Sequence, residues 1–311
     1  MAEKNVNMKH DNIIEKEITE EQQKILTPWK LVRRKFMKRK SSVVALIILF
    51  VIILSVVFAP VISKHDPYTY DFSRVKQPPS KEHILGTDEL GRDYFARVLY
   101  GGRVALQVGI FAVLIEIVIG CIIGGIAGYY GGWIDNLLMR FTEVFMSFPF
   151  LPLVITISAI VGTRIQPEQK MYLVMIVLGL LSWPGLARII RGQILSLREQ
   201  EFILAAKAMG IRNSRIIWRH LIPNTVGYIV VNATLSVASA ILQESALSFL
   251  GLGVAPPIPT WGNLIQYARD MYNLQHRPWL WIPPGLCIFA TVMCINLIGD
   301  GLRDAIDPKS K

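Results

Sequence analysis

Arg188–Asn224 reads RIIRGQILSLREQEFILAAKAMGIRNSRIIWRHLIPN and lies between two apolar runs of membrane length. It holds seven Arg or Lys against two Glu, with Ile, Leu, Ala and Phe at helical spacing between the charges. A connector between packed helices needs only a few residues. A stretch this long, helical and of one sign predicts a structured element at a membrane face that something grips. Its excess of Lys and Arg places it on the cytoplasmic side.

On either side, apolar residues come in blocks. Hydrophobic residues are 52% of the 311 and charged residues 18%, and the blocks approach the ~20 residues of helix that a ~30 Å hydrocarbon core requires. Six qualify or come close, at about 42–62, 104–130, 137–162, 171–187, 225–243 and 278–299. Lipid offers the backbone no hydrogen-bond partner, so each must be helical. The expected fold is all-α: a polytopic membrane protein with six transmembrane helices. Lys30–Lys40 (KLVRRKFMKRK) precedes the first block, which sets the N-terminal tail, residues 1–41, inside. Six crossings return the C-terminus to that side. Residues 188–224 then join spans four and five in the cytoplasm, and 244–277 form an outer loop. Residues 1–27 are polar and expected to be mobile. The first block starts too far from the N-terminus, and lacks the small-x-small site, to be a cleavable signal.

Several function classes drop out. The net charge of +10 follows membrane borders and has no aromatic stacking platform, so no nucleic acid is expected. Cys121, Cys287 and Cys294 all fall inside expected spans and read as small apolar side chains. The histidines at 10, 65, 83, 220 and 276 make no ligand spacing, so no metal is expected. No Gly-Lys dipeptide occurs, which excludes a Walker A loop. G-x-S-x-G, H-E-x-x-H and C-x-x-C are also missing, so no catalytic residue is assigned. Work against a gradient would need either an ion site in the membrane or a second protein. For the first, Glu116 stands alone in mid-span and either meets a partner helix or faces an aqueous path. Arg140 and Glu143, three apart, can satisfy each other. One lone carboxylate without an evident inverted repeat is a poor secondary transporter.

The second option has better support. Leu204-Ala205-Ala206-Lys207-Ala208-Met209-Gly210 reads as a smooth helix of small side chains stopped by a glycine with positive φ. Arg212, Arg215 and Arg219 form one stripe on a second short helix, which Pro223 breaks before the next span. Such a bent segment is a knob for a partner protein. The competing reading is an amphipathic helix lying on anionic headgroups.

These residues resemble the E-A-A-x-x-x-G…P signature of ABC importer permeases, with Leu204 where the signature has Glu. Three further motifs agree. Gly86-Thr87-Asp88-Glu89-Leu90-Gly91-Arg92-Asp93 resembles the G-T-D-x-x-G-R-D element of dipeptide and oligopeptide permeases. Glu244-Ser245-Ala246-Leu247-Ser248-Phe249-Leu250-Gly251-Leu252-Gly253 with Pro259-Thr260-Trp261-Gly262 is similar to their E-x-A-L-S-F-L-G-L-G…P-x-W-G loop. Gly299-Asp300-Gly301-Leu302-Arg303-Asp304 with Asp307-Pro308 matches their G-D-x-L-R-D…D-P ending. The resemblance spans about residues 28–309 and is closest to the second, C-type permease of peptide importers.

The resemblance implies half of a translocation path for short peptides in a prokaryotic plasma membrane. A second permease would complete it, two ATP-binding cassette ATPases would drive it, and an extracytoplasmic binding protein would feed it. ATP and Mg would be held by the ATPases, with no cofactor in this chain. The expected ATPase contact is Leu204, Ala205, Ala206, Lys207, Gly210, Arg215 and Pro223. Gly86, Asp88, Gly91, Arg92, Glu244, Leu250, Gly251 and Trp261 are candidates at the outer face. Relatives carrying nickel or glutathione share these motifs. An ion-coupled transporter acting alone is the rival class, and an anchor or receptor would not need six spans.

The motifs also carry structural readings. Gly86 and Gly91 frame an acidic turn in which Arg92 can pair with Asp88 or Asp93, giving either a capped interfacial helix or a substrate contact. Leu250–Gly253, followed by Pro256, Pro257 and Pro259, is too short to span and reads as a re-entrant dip. Trp279 and Trp281 suit an outer aromatic belt. Gly120, Gly124 and Gly128 line one helix face for close packing. Arg303 is expected to pair with Asp300 and Asp304.

Overall fold

The structure, a computed structural model, describes residues 28–306, so the expected tail through residue 27 and the Asp307-Pro308 ending lie outside it. The main helices in chain order are α1 (Pro28–Lys38), α2 (Lys40–Val57), α3 (Tyr94–Tyr130), α4 (Gly132–Ser147), α5 (Phe150–Gly162), α6 (Gln169–Leu197), α7 (Glu201–Ala208), α8 (Val226–Phe249) and α9 (Ile282–Ile306). No strand occurs among the described residues. By length and composition α2, α3, α6, α8 and α9 can each cross a membrane, and α4 with α5 makes a sixth candidate bent by 78°.

The span expected over 137–162 is thus a broken helix. Pro149 has no N–H to donate and disfavours helical ψ at the residue before it. Phe148 accordingly sits at φ −80°, ψ 133°, ending α4, and Pro149 caps α5.

Other helices overrun their expected ends because their charges find partners elsewhere. α3 starts at Tyr94, ten residues before 104, because Asp93 Oδ1 accepts from Ala96 N at 2.7 Å and caps it. Arg97 inside that extension is 3% exposed and donates to Pro67 O at 3.1 Å. α6 runs on to Leu197, so residues 188–197 are helix and not loop. Its Arg191 makes a two-pronged ion pair with Asp135 of α4, with both bonds at 2.6 Å. α8 continues to Phe249, which puts Glu244 in a helix and starts the following loop at Leu250.

The bundle is organised around α3 and α6, which pack along their length. The expected glycine stripe makes this possible. A Cβ on Gly124 would lie 2.5 Å from Ala187 O, and one on Gly128 2.9 Å from Arg191 O. α8 packs on α3 and α9, and α9 on α2. α2 keeps apolar side chains such as Val44, Ile47, Phe50 and Val51 exposed, as a lipid-facing helix does.

The two ends of the described chain meet. Ser42 Oγ donates to Leu297 O at 2.7 Å, and Arg39 pairs with Asp304. The start of α2 and the end of α9 therefore share one end of the bundle, as an even number of crossings requires. This also corrects the expected pairing of Arg303 with Asp300 and Asp304: Asp304 bonds across the bundle, and Arg303 instead lines a cavity with Tyr228 and Asn232.

Candidate functional site

Leaving α6, Arg198 turns back and donates to Gly128 O at 3.1 Å, which satisfies a carbonyl at the end of α3. α7 follows after three residues. Its Ile203 and Ala206 are buried, with Ile216, Ile217 and Leu221, against Cys121, Tyr129, Leu186, Ile190 and Ile194. The helix stops in a Schellman motif. Gly210 N donates to Lys207 O at 3.0 Å, Ile211 N donates to Ala206 O at 3.2 Å, and Gly210 takes φ +72°. Tyr129 ties down the return limb by donating to Asn213 Oδ1 at 2.7 Å, while the Lys207 ammonium lies 5.3 Å from its ring centre.

The knob thus has a buried floor and an exposed crown. Leu204, Ala205, Lys207, Gly210, Arg215 and Pro223 of the expected contact are exposed. Ala206 is the exception: at 3% exposure it faces the protein's own core and cannot touch a partner. Sequence reasoning missed Phe202, Met209 and Trp218, which are exposed and apolar, Met209 at 73%. The available signal was three large apolar residues among charges, one of them immediately before the stop glycine. The return limb is helical through Asn224, but Ile217–Leu221 is a wider π-helical stretch. Pro223 explains it, since its missing N–H cannot close an α-helical bond onto Arg219 O.

The G-T-D motif is a capped helix start. Asp88 is fully buried. Its Oδ2 accepts from Arg92 Nε at 2.7 Å, and its Oδ1 accepts from Leu90 N and Arg92 N at 2.8 and 3.0 Å. Arg97 Nε lies 3.3 Å from the same carboxylate without hydrogen-bond alignment. Gly86 and Gly91 take φ +71° and +72°, and a Cβ on Gly91 would fall 1.7 Å from Asp71 O. The anchoring reading holds, with Asp88 as the partner of Arg92. One edge of this turn does reach open space: Arg92 and Arg97 help line a cavity of ≈ 660 Å³ with Glu89, Tyr267 and Asp270. Burial pushes the Tyr267 phenol up to about 12, so it stays a neutral donor there.

Two outer-face candidates are core residues instead. Trp261 is 1% exposed and donates from Nε1 to Val98 O at 2.9 Å, wedged against Gly102 of α3 and Val56 of α2. Glu244 is 0% exposed and accepts from Ser248 Oγ at 2.6 Å. Leu250 and Gly251 are exposed at the turn that ends α8. The chain there folds back tightly on the end of α8, where a Cβ on Gly253 would lie 2.2 Å from Ser248 Oγ. Trp279 is half-buried in the core around Trp261.

Two further groups come together. His65 and His83, which showed no ligand spacing, converge with Asp93, their ligand atoms all within 4.8 Å. His83 bonds Asp93 at 2.8 Å, which braces the α3 cap, and has the Arg74 guanidinium 3.3 Å from its other nitrogen. Inside the bundle, Glu116 of α3 accepts from Ser236 Oγ of α8 at 2.9 Å, and both line a cavity of ≈ 340 Å³ at the α4–α5 bend. Glu116 thus meets a partner helix on one side and borders this cavity on the other. Arg140 and Glu143 pair with each other at 3.1 Å, as expected.

Comparison with known proteins adds an independent line. Residues 117–311 match the family model described as binding-protein-dependent transport system inner membrane component. Residues 27–79 match that of the N-terminal TM domain of oligopeptide transport permease C. The dipeptide transport system permease protein DppC of Alkalihalophilus pseudofirmus is 42% identical over 94% of this chain and 93% of its own length. The oligopeptide transport system permease protein OppC of Haemophilus influenzae is 41% identical over 98% and 97%. The glutathione transport system permease protein GsiD of Pectobacterium atrosepticum is 39% identical over 92% and 93%. With buried motifs, a multi-pass helical bundle and these relatives in agreement, the chain belongs to the binding-protein-dependent transport system inner membrane components, among the C-type permeases of dipeptide and oligopeptide importers.

Proposed function

We propose that this chain forms half of the path by which short peptides are imported at the expense of ATP. It performs no bond chemistry itself. The observation that carries this reading is the knob, an exposed apolar crown of Phe202, Leu204, Met209 and Trp218 on a floor buried among α3 and α6. An ATPase closing on nucleotide would push the crown, and the floor would hand the displacement to the two central helices. The headgroup reading is weaker, because the inward side chains of α7 are already buried in protein.

The basic residues of α1 and of 188–224 support a cytoplasmic position for the knob and for the end of the bundle where α2 starts and α9 finishes. A second, homologous permease would complete the path across a two-fold axis. The cavity at Arg92 and Tyr267 then faces outward, where a binding protein would deliver cargo. The setting is the plasma membrane of a prokaryote. The peptide class is supported by the names of the dipeptide and oligopeptide relatives.

Reconstitution in liposomes is the test. The subunit alone should neither hydrolyse ATP nor accumulate peptide, even with a proton or sodium gradient. Adding the second permease and the ATPases should create hydrolysis, and loaded binding protein should raise it. Gradient-driven accumulation by the isolated subunit would overturn the reading in favour of an ion-coupled transporter.

A further inference from the structure

Glu116 lies mid-way along α3 and is only 4% exposed. Among the described residues no Lys, Arg or His forms an ion pair with it. A carboxylate in a membrane interior is costly unless it is paired, and such a group marks a functional position. Packing does not call for it, since its single hydrogen bond comes from the Ser236 hydroxyl.

The rest of the cavity shows what would pair with it. Gln243 shares the wall, and its Oε1 is buried with no hydrogen-bond donor. Ser239 adds a hydroxyl. Phe145, Phe148 and Phe150, brought together by the break between α4 and α5, supply aromatic faces. Pro184, also on the wall, leaves a carbonyl one turn back on α6 without its helical N–H. The lining contains no Lys, Arg or His. One carboxylate, spare acceptor oxygens and π faces complement a compact organic cation. The site would repel an anion.

We propose that Glu116, with Gln243 and the phenylalanines of the α4–α5 break, receives the α-ammonium group of a peptide on its way through the chain. This rests on the peptide-import reading above. The ammonium group sheds water as it enters a low-dielectric interior, and Glu116 offsets that loss. The chain would therefore favour peptides with a free N-terminus, whatever preference the binding protein adds.

The complete importer, in lipid nanodiscs without nucleotide, is treated with dicyclohexylcarbodiimide, and modification of Glu116 is read by mass spectrometry. Trialanine and propylammonium should each lower modification by roughly threefold or more, as a bound cation keeps the carboxylate ionised, and N-acetyl-trialanine should not. Equal protection by the two peptides, or by neither, overturns the proposal. So does protection by sodium or potassium equal to that by propylammonium, which makes the site one for inorganic cations. A Glu116 that never reacts is sealed from the cavity, and that also overturns it.

Transport supplies the second readout. Glu116→Gln should lower ATP-driven uptake of trialanine relative to N-acetyl-trialanine by roughly tenfold, equivalent to ~1.4 kcal/mol, with Glu116→Asp restoring most of it. The binding protein's own preference cancels in this ratio, and an unchanged ratio rejects the proposal. If the wild-type complex moves neither peptide while propylammonium still protects Glu116, the peptide-import reading fails and the ammonium site stands. If peptides move but Glu116 is unprotected, the importer stands and the ammonium site does not.

Discussion

Replacing Gly210 tests the knob with little disturbance elsewhere. Nothing lies within 4 Å of a Cβ built there, so Gly210→Val meets no clash, and the cost is confined to a backbone at φ +72°. A non-glycine residue in that region costs ~1–2 kcal/mol, with β-branched side chains at the upper end. Relaxing φ would break the bonds from Gly210 N and Ile211 N, each worth ~1 kcal/mol. The folded knob is thereby disfavoured by ~2 kcal/mol, a factor of roughly 30 against any relaxed alternative. Asn tolerates left-handed backbone and Ala less so, which sets the order Gly, Asn, Ala, Val. ATP-driven peptide uptake by the assembled importer should fall in that order, with Val near a tenth of wild type or below. The amount of inserted subunit should hold, because Ile203 and Ala206 keep their burial. Wild-type uptake by the Val variant refutes the reasoning. So does a loss of inserted subunit in proportion to uptake, which would make Gly210 a folding residue only.

Further outcomes are specific to other regions. A cysteine at Lys81 should react with an impermeant thiol reagent outside intact cells, and one at Asn213 only after permeabilisation; the reverse pattern inverts the orientation. Trp261→Ala empties a site that is 1% exposed and should cost ~3–5 kcal/mol, seen as a lower unfolding temperature of the complex, with Trp261→Phe milder. Unchanged melting of the Ala variant would mean that this wedge contributes nothing. Gly124→Leu pushes a side chain into Ala187 O, 2.5 Å from the Cβ, and should abolish stable assembly where Gly185→Leu, with nothing within 4 Å of its Cβ, does not. In the segment between α2 and α3, Ser73 hydrogen bonds hold the Asp71 carboxyl below its ordinary range, and Arg74 does the same for Glu82. A lowered folded pKa gives stability that is present above the unfolded value and lost as pH falls through the folded one. Protection of residues 71–82 from proteolysis should therefore be flat from neutral pH down to about 4 and drop only below it; a loss near pH 6 would contradict these pairings.

Hydropathy alone located the helices long and apolar enough to cross a membrane, because the cost of an unpaired backbone in lipid leaves no alternative to helix over an apolar run. Helix ends were harder to read. Arg191 looks like the start of a loop until Asp135, 56 positions earlier, is found 2.6 Å away. Arg97 similarly marks no boundary once Pro67 O accepts from it. Pro149 was a visible signal for the bend, yet its apolar neighbours kept the hydropathy continuous across it. Gly210 was legible because positive φ is a local property. The inward turn of Ala206 was not, because helical phase depends on which face α3 and α6 offer. Glu244 and Trp261 carried the look of a contact loop, a charge and an aromatic among glycines. Only the tertiary fold shows that the glycines admit the tryptophan to the core.

The two limbs of the knob differ in helical regularity. On the side of α6, three residues, the Arg198 clamp and the packed contact of Ile203 with Ile190 and Ile194 leave little slack. On the side of α8 the return passes through the wider turn at Ile217–Leu221 and the missing bond at Pro223. Close-packed interiors carry strain onward, and irregular helix absorbs it. A stroke applied at Met209 would then reach α6 and α3 almost without backlash and arrive at α8 late and attenuated. On the proposed coupling the knob would be geared to one side, and the wall carrying Ser236, Ser239 and Gln243 would lag behind the wall carrying Glu116. The two sides of the inner cavity would shear past each other during each stroke, a motion that loosens whatever bridges them.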